Sequence, residues 1–164
     1  VDEMITSSAH RMIEDWRLGF VATADAYGAP NLSPKGTFVV HDSKTIGFAE
    51  IRSPDTLKNI ALCPQVEISF VDILTRRAVL IGGTARSVAR DSDEFARLFP
   101  TYEELWPDLA SSFGSIVLVD VTACRPTCSP AYDNGATASD LRRNWMQRVQ
   151  DINSRHEQSE VTPC

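Results

Sequence analysis

At 164 residues the chain is long enough to bury a proper core and too short for two independent ones, so a single domain over 1–164 is expected. Its formal charge of −6 argues against a nucleic-acid or anionic-membrane partner, since either usually demands a basic face. The longest apolar runs, such as Ile116-Val117-Leu118-Val119, fall far short of the roughly 20 residues that cross a bilayer, and no basic-apolar leader opens the chain. A cytoplasmic protein is expected, although Val1 in place of an initiator methionine leaves room for a preceding segment.

From Glu3 to Arg17 apolar residues recur at helical spacing, with Met4, Ile5, Ala9, Met12, Ile13 and Trp16 on one face. A first strand follows from Leu18 and ends in the turn Asp25-Ala-Tyr-Gly-Ala-Pro30. The next strand carries Ser33-Pro-Lys-Gly36 and is predicted to continue to Val40. His41-Asp42-Ser43-Lys44 supply a polar turn, and Thr45 to Ala49 resume the strand pattern, which makes a hairpin. A helix starts at once: Ser53 suits the N-cap, Pro54 the first helical position and Asp55 the positive end of the dipole, with Leu57, Ile60 and Ala61 on the apolar side. A helix N-terminus with Arg52, Thr56 and Lys58 around it, placed directly after a sheet, suits a phosphate group.

Val66, Ile68 and Phe70 alternate with Gln65, Glu67 and Ser69, the pattern of a half-buried antiparallel strand. Arg76 to Val88 reads as another strand, with Gly82-Gly83 marking a bulge or barrel corner. Asp93 to Phe99 reads as a short helix stopped by Pro100, and Tyr102 to Phe113 as an aromatic-rich helical or irregular piece. Ser115 to Thr122 is the last strand, Arg125 to Pro130 an extended loop, and Ala138 to His156 a final amphipathic helix.

Cys63, Cys124, Cys128 and Cys164 lack the spacing of a secreted disulfide framework. Cys124 and Cys128 are spaced as half a zinc site, but no second pair completes it, and His10, His41 and His156 form no ligand pattern, so no metal is expected. Cys63 and Cys124 read as small apolar core residues. Ser33 and His41 share the hairpin without an acid that can be ordered beside them, so no hydrolytic triad is read and His41 is expected to be exposed. Trp106, Trp145 and Tyr132 suit stacking on a ligand, a core or a dimer seam.

The ordered set of a Gly-Ala-Pro turn, SPKG, GFAE, SPDTLKNI, CPQVEISF and RRAVLIGGTA resembles the pyridoxamine 5'-phosphate oxidase-like FMN-binding split-barrel family over Leu18 to Val88. The resemblance implies a mainly β protein, an antiparallel split β-barrel with peripheral helices, its core at about 18–124 and its C-terminal helix at about 138–156. It further implies FMN in a groove between the two subunits of a homodimer, and an FMN-dependent oxidoreductase with a small-molecule substrate or electron donor. A flavin-binding module without turnover, serving as sensor, carrier or scavenger, is the competing reading, and the same barrel group also accommodates haem or deazaflavin.

By the same resemblance Ser33, Pro34, Lys35, Gly36 and Thr37, with Ala49 and Glu50, lie along the flavin, and Gly36 lets the backbone approach the ring. Arg52, Ser53, Thr56, Lys58 and Asn59 then serve the phosphate and ribityl end, and Arg77 falls near a basic residue that reaches the cofactor. Taken alone, Lys58 is an ordinary solvated helix lysine; its motif makes it a phosphate contact. Asp55 departs from the family, which carries adjacent basic residues near this point, so the phosphate depends on amides, Arg52 and Lys58, with Asp55 as a helix cap. Pyridoxamine phosphate oxidase itself is not implied, because the chain ends in Ser-Glu-Val-Thr-Pro-Cys164 where the oxidase has an arginine-bearing segment. No catalytic residue is assigned, since the flavin carries the electrons.

Overall fold

A computed structural model of the chain describes residues 4–156, so Val1, Glu3 and the terminal segment through Cys164 lie outside the described residues. The chain divides into two compact units, the first made of residues up to 71 with 78–126, the second of residues 72–77 with the chain from 127 onward. Seven strands, β1 (Gly19–Ala24), β2 (Pro30–Lys35), β3 (Phe38–Asp42), β4 (Thr45–Glu50), β5 (Gln65–Asp72), β6 (Arg77–Ala89) and β7 (Ser115–Cys128), form one antiparallel sheet in the order β2-β1-β5-β6-β7-β4-β3. The helices are α1 (Ser7–Trp16), α2 (Pro54–Leu62), α3 (Asp93–Leu105) and α4 (Ala138–His156). None of the described helices is long and apolar enough to cross a membrane.

In the first unit the alternation of β1, β5 and β6 sends Val21, Ile68, Phe70 and Ile81 inward, where they meet Phe38 and Phe48. Phe38 sits edge-on to both Phe48 and Phe70, and Ala9 and Ile13 of α1 join this core. α1 begins at Ser7 because the Thr6 hydroxyl accepts from the Ala9 N–H. A second cluster gathers Tyr102, Phe95, Phe113, Ile116 and Leu118.

Three local expectations are corrected. The strand carrying SPKG does not run to Val40: it breaks at Gly36 and Thr37, where the Thr37 hydroxyl donates to the Ala49 carbonyl at 2.8 Å, so that β2 pairs with β1 and β3 with β4. Gly82 and Gly83 lie within β6, where a side chain at Gly83 would bring its Cβ to 2.6 Å from the Asp120 carbonyl oxygen, so close strand contact requires glycine there. Pro100 does not stop a helix but lies inside α3, because Phe95, Leu98, Phe99 and Tyr102 continue one apolar stripe across it and bury it in the second cluster. Residues 125–128, read as loop, complete β7 because β6, 13 residues long, supplies ladder partners.

In the second unit Asp72 closes a tight turn, accepting from the Leu74 and Thr75 N–H groups and from the Thr75 hydroxyl. Arg76, in the left-handed region, lays its guanidinium 4.6 Å from the Trp145 ring centroid, and Tyr132 donates its hydroxyl to the Thr75 carbonyl at 2.6 Å.

Candidate active site

Within the first unit the break between β2 and β3, the end of β4 and the start of α2 converge. Ser33 to Thr37 form one wall of a cavity of about 540 Å³, a volume in the ordinary range for small-molecule sites. Ala49, Ile51 and Arg52 form a second wall, and Trp106 and Leu109, from the segment after α3, complete it. A Cβ built on Gly36 would meet no protein atom within 4 Å, so this backbone is open to the cavity.

Beside the cavity Lys35 and Glu50 form a buried ion pair with Nζ 2.7 Å from Oε2. Ser53 binds both: its hydroxyl donates to Glu50 Oε2 and accepts from Lys35 Nζ, and its N–H donates to Glu50 Oε1. Burial alone would raise the Glu50 pKa, but hydrogen bonds from Lys35 and Ser53, with the lysine's charge, hold it below the usual carboxylate range. Ser53 is the residue before α2 as expected, yet its hydroxyl makes no capping bond, because Glu50 and Lys35 claim it.

A second cavity of about 410 Å³ adjoins the same loop and shares Ile51 and Arg52 with the first. Glu50, Ser53, Pro54, Leu57, Ser87, Ala89, Arg90, Gly114 and Ser115 complete its lining. The Arg90 guanidinium is held by a hydrogen bond to the Phe113 carbonyl and by the Phe95 ring. Among the described residues, Ser115 Oγ is the buried side-chain polar atom without a hydrogen-bond partner.

The structure therefore brings Ser33, Pro34, Lys35, Gly36, Thr37, Ala49, Glu50, Arg52 and Ser53 together around one loop. It does not bring Thr56, Asn59, Lys58 or Arg77 to either cavity. Thr56 and Asn59 are buried in a network that ties α2 to β1 and β2. Asn59 Nδ2 donates to Thr23 Oγ1, while Asn31 Nδ2 reaches Thr23 Oγ1 and Thr56 Oγ1. Lys58 is exposed further along α2. Arg77 belongs to the second unit, where its guanidinium lies 5.1 Å from the Tyr132 ring centroid.

His41 is not an exposed turn residue. It lies on β3, half-buried, with Nε2 3.0 Å from the Tyr102 hydroxyl. Burial pushes the imidazole pKa down, partly offset by the charge of Asp42, and burial pushes the Tyr102 hydroxyl well above its ordinary value. Trp106, read from the sequence as suited to stacking on a ligand, a core or a dimer seam, lines the first cavity, whereas Leu109, Arg90, Ser87 and Ser115 were not legible as site residues. Only the aromatic run after Pro100 carried a signal, and the rest arrive through tertiary pairing of distant segments.

The family model for pyridoxamine 5'-phosphate oxidase matches residues 5–124. The chain belongs to that family. The segment matched contains every residue of both cavities. No curated protein matches the sequence. Among solved structures, HupZ of Group A Streptococcus is 25% identical, with a TM-score of 0.66 over 77% of this chain and 96% of that one. HutZ, the heme storage protein from Vibrio cholerae, is 16% identical, with a TM-score of 0.62 over 76% of this chain and 94% of that one. An FMN-binding protein from Syntrophomonas wolfei subsp. wolfei is 10% identical, with a TM-score of 0.62 over 74% and 84%. The split-barrel architecture of the oxidase family is thus the fold of this chain.

Proposed function

We propose that the protein is an FMN-dependent oxidoreductase that works as a homodimer, with the flavin ring in the first cavity. The observation that carries this reading is the open backbone at Gly36 in a cavity walled by Trp106 and bordered by Arg52. A flat ring can lie against such a strand, its edge meeting backbone and hydroxyl groups of Ser33 to Thr37, while Trp106 and Leu109 exclude water. When bound, FMN supplies the hydride or electron transfer, and the protein supplies binding, orientation and field. The buried Lys35–Glu50 pair fixes the shape of the loop between the cavities.

The dimer is supported by the outward face of β1 and β2. Phe20 pairs across from Pro34 and Ala22 from Leu32, and Phe20 and Leu32 remain 36% and 64% exposed. Pro34 also lines the first cavity, so a second copy covering this face would close the flavin site. The heme storage protein of similar fold suggests a haem reading, but neither cavity is lined by a histidine, cysteine or methionine that could ligate iron. Anaerobic mixing of the flavin-loaded protein with NADH or NADPH tests turnover. Bleaching of the flavin absorbance followed by reoxidation supports the enzyme, and bound flavin that neither nucleotide reduces supports a non-catalytic flavin module.

A further inference from the structure

α4 lies beyond the segment shared with the family, and none of its described side chains is buried. Leu141, Trp145, Val149 and Ile152 recur along one side of its 19 residues and stay half-exposed, and the neighbouring Met146 is 42% exposed. Within its own unit the Arg76 guanidinium covers part of the Trp145 ring, 4.6 Å from the centroid. Most of the stability of a protein helix comes from packing such a stripe, so this one calls for a partner.

The charges around the stripe decide what that partner is. α4 carries Arg142, Arg143, Arg148 and Arg155 against Asp140 and Asp151. Arg143 is paired within the helix to Asp140, Arg142 reaches Asp72 only at 3.9 Å, and among the described residues Arg148 has no ion pair. Two copies of α4 laid together would set arginine against arginine. Residues 91–109 have the opposite character, with six acids against Arg97. Glu103 and Glu104 crowd the last turn of α3, which holds no basic residue, so they stand at the negative end of the helix dipole, and Asp108 follows. Among the described residues none of these three has an ion pair, and Leu105 and Leu109 in the same stretch are 41% and 42% exposed. In a chain of net charge −6, a basic and apolar helix face matches another copy of the chain better than nucleic acid or an anionic membrane, which the rest of the surface would repel.

We infer that α4 docks on a second copy of the chain, with its apolar stripe over Leu105 and Leu109 and its arginines Arg142 and Arg148 against Glu103, Glu104 and Asp108. The inference rests on the homodimer reading above and on no part of the flavin reading. The contact adds to the β1–β2 face rather than replacing it. Its ion pairs are exposed, so they set direction and register more than affinity, and the apolar stripe supplies the burial.

The experiment places the photo-cross-linker benzoylphenylalanine at the exposed Met146 of the full chain, irradiates it, and reads the product by denaturing gel and peptide mapping, with sedimentation on the same sample. A covalent product of twice the chain mass, attached within residues 91–109, is expected. Arg142→Glu with Arg148→Glu should lower its yield by roughly fivefold or more, and adding Glu103→Arg with Glu104→Arg to that chain should restore it. The doubled product in a protein that binds no flavin upholds the docking and removes the flavin reading. Attachment within a single chain, attachment elsewhere, or none, in a protein that sediments as a dimer, overturns the inference and leaves the homodimer standing. A yield indifferent to the charge reversal also overturns it, and a protein that sediments as a monomer removes both the docking and the homodimer.

Discussion

Lys35 Nζ and Glu50 Oε2 stand 2.7 Å apart with side chains only 10% and 3% exposed, and both are hydrogen-bonded to Ser53. The pair locks the last residue of β2 to the last residue of β4 and to the residue preceding α2, which holds the loop between the two cavities in place. Removing one partner leaves a buried charge alone. Lys35→Met should therefore cost about 3–5 kcal/mol in a urea titration at neutral pH. A loss below about 1 kcal/mol would show that the pair is solvated.

The same pair sets an acid limit on stability. Glu50 has a folded pKa held below its unfolded value, so the folded state binds fewer protons and its contribution is complete above the unfolded pKa. That contribution disappears as pH falls through the depressed folded pKa. Acid unfolding of Glu50→Gln should be shallower than wild type at pH values below the ordinary carboxylate range, and parallel acid profiles would contradict the assignment.

His41 and Tyr102 produce a separate dependence nearer neutrality. The folded imidazole has its pKa lowered from 6.5, so below that pH the unfolded state takes up the proton first and stability falls. Above it the contribution is complete. His41→Asn should flatten the stability profile on the acid side of 6.5, as measured by denaturant midpoints across pH. An unchanged slope would mean that the ring titrates as if in water.

Thr56, Asn59 and Lys58 separate structural residues from ligand contacts. Asn59→Ala should cost about 1–3 kcal/mol by breaking the buried link to Thr23, without changing the FMN affinity of the protein that remains folded. Lys58→Ala should leave both stability and FMN affinity nearly unchanged. A loss of FMN affinity by a decade in Lys58→Ala, with riboflavin unaffected, would return this lysine to the phosphate site.

The sheet was legible because its signals are local: alternation in Gln65–Asp72, the polar hairpin turn before Thr45, and Pro54 opening α2. The boundaries that failed were decided by tertiary contact. Pro100 stays helical because the stripe from Phe95 to Tyr102 is worth more buried than the bond that proline forfeits, and β2 ends at Lys35 because Thr37 bonds to Ala49. The segment Ser33 to Thr37 could be named because its residues are contiguous. Arg90 and Ser115 could not, since only the pairing of β4 with β7 and the anchoring of Arg90 on Phe113 bring them to α2. Thr56 and Asn59 carry the polar character of ligand contacts in sequence, and only the positions of Thr23 and Asn31 show what they bind.

The outer face of β1 and β2 yields a prediction about assembly. Leu32→Glu places a charge in the middle of the apolar strip formed with Phe20 and Pro34 and should leave the fold intact, since Leu32 is exposed in the single chain. Sedimentation should then show a monomer with weakened flavin binding. A Leu32→Glu protein that remains dimeric would place the interface elsewhere.

The central claim, that a flavin lies against the open backbone at Gly36, is tested most directly by Gly36→Val. The valine Cβ has free space and the backbone there needs no left-handed conformation, so circular dichroism and sedimentation should match wild type. The side chain would instead fill the place of the ring. Titration with FMN, followed by flavin absorbance and fluorescence, should show binding to wild type and none to the folded variant. A folded Gly36→Val protein that takes up FMN with wild-type affinity would contradict the account.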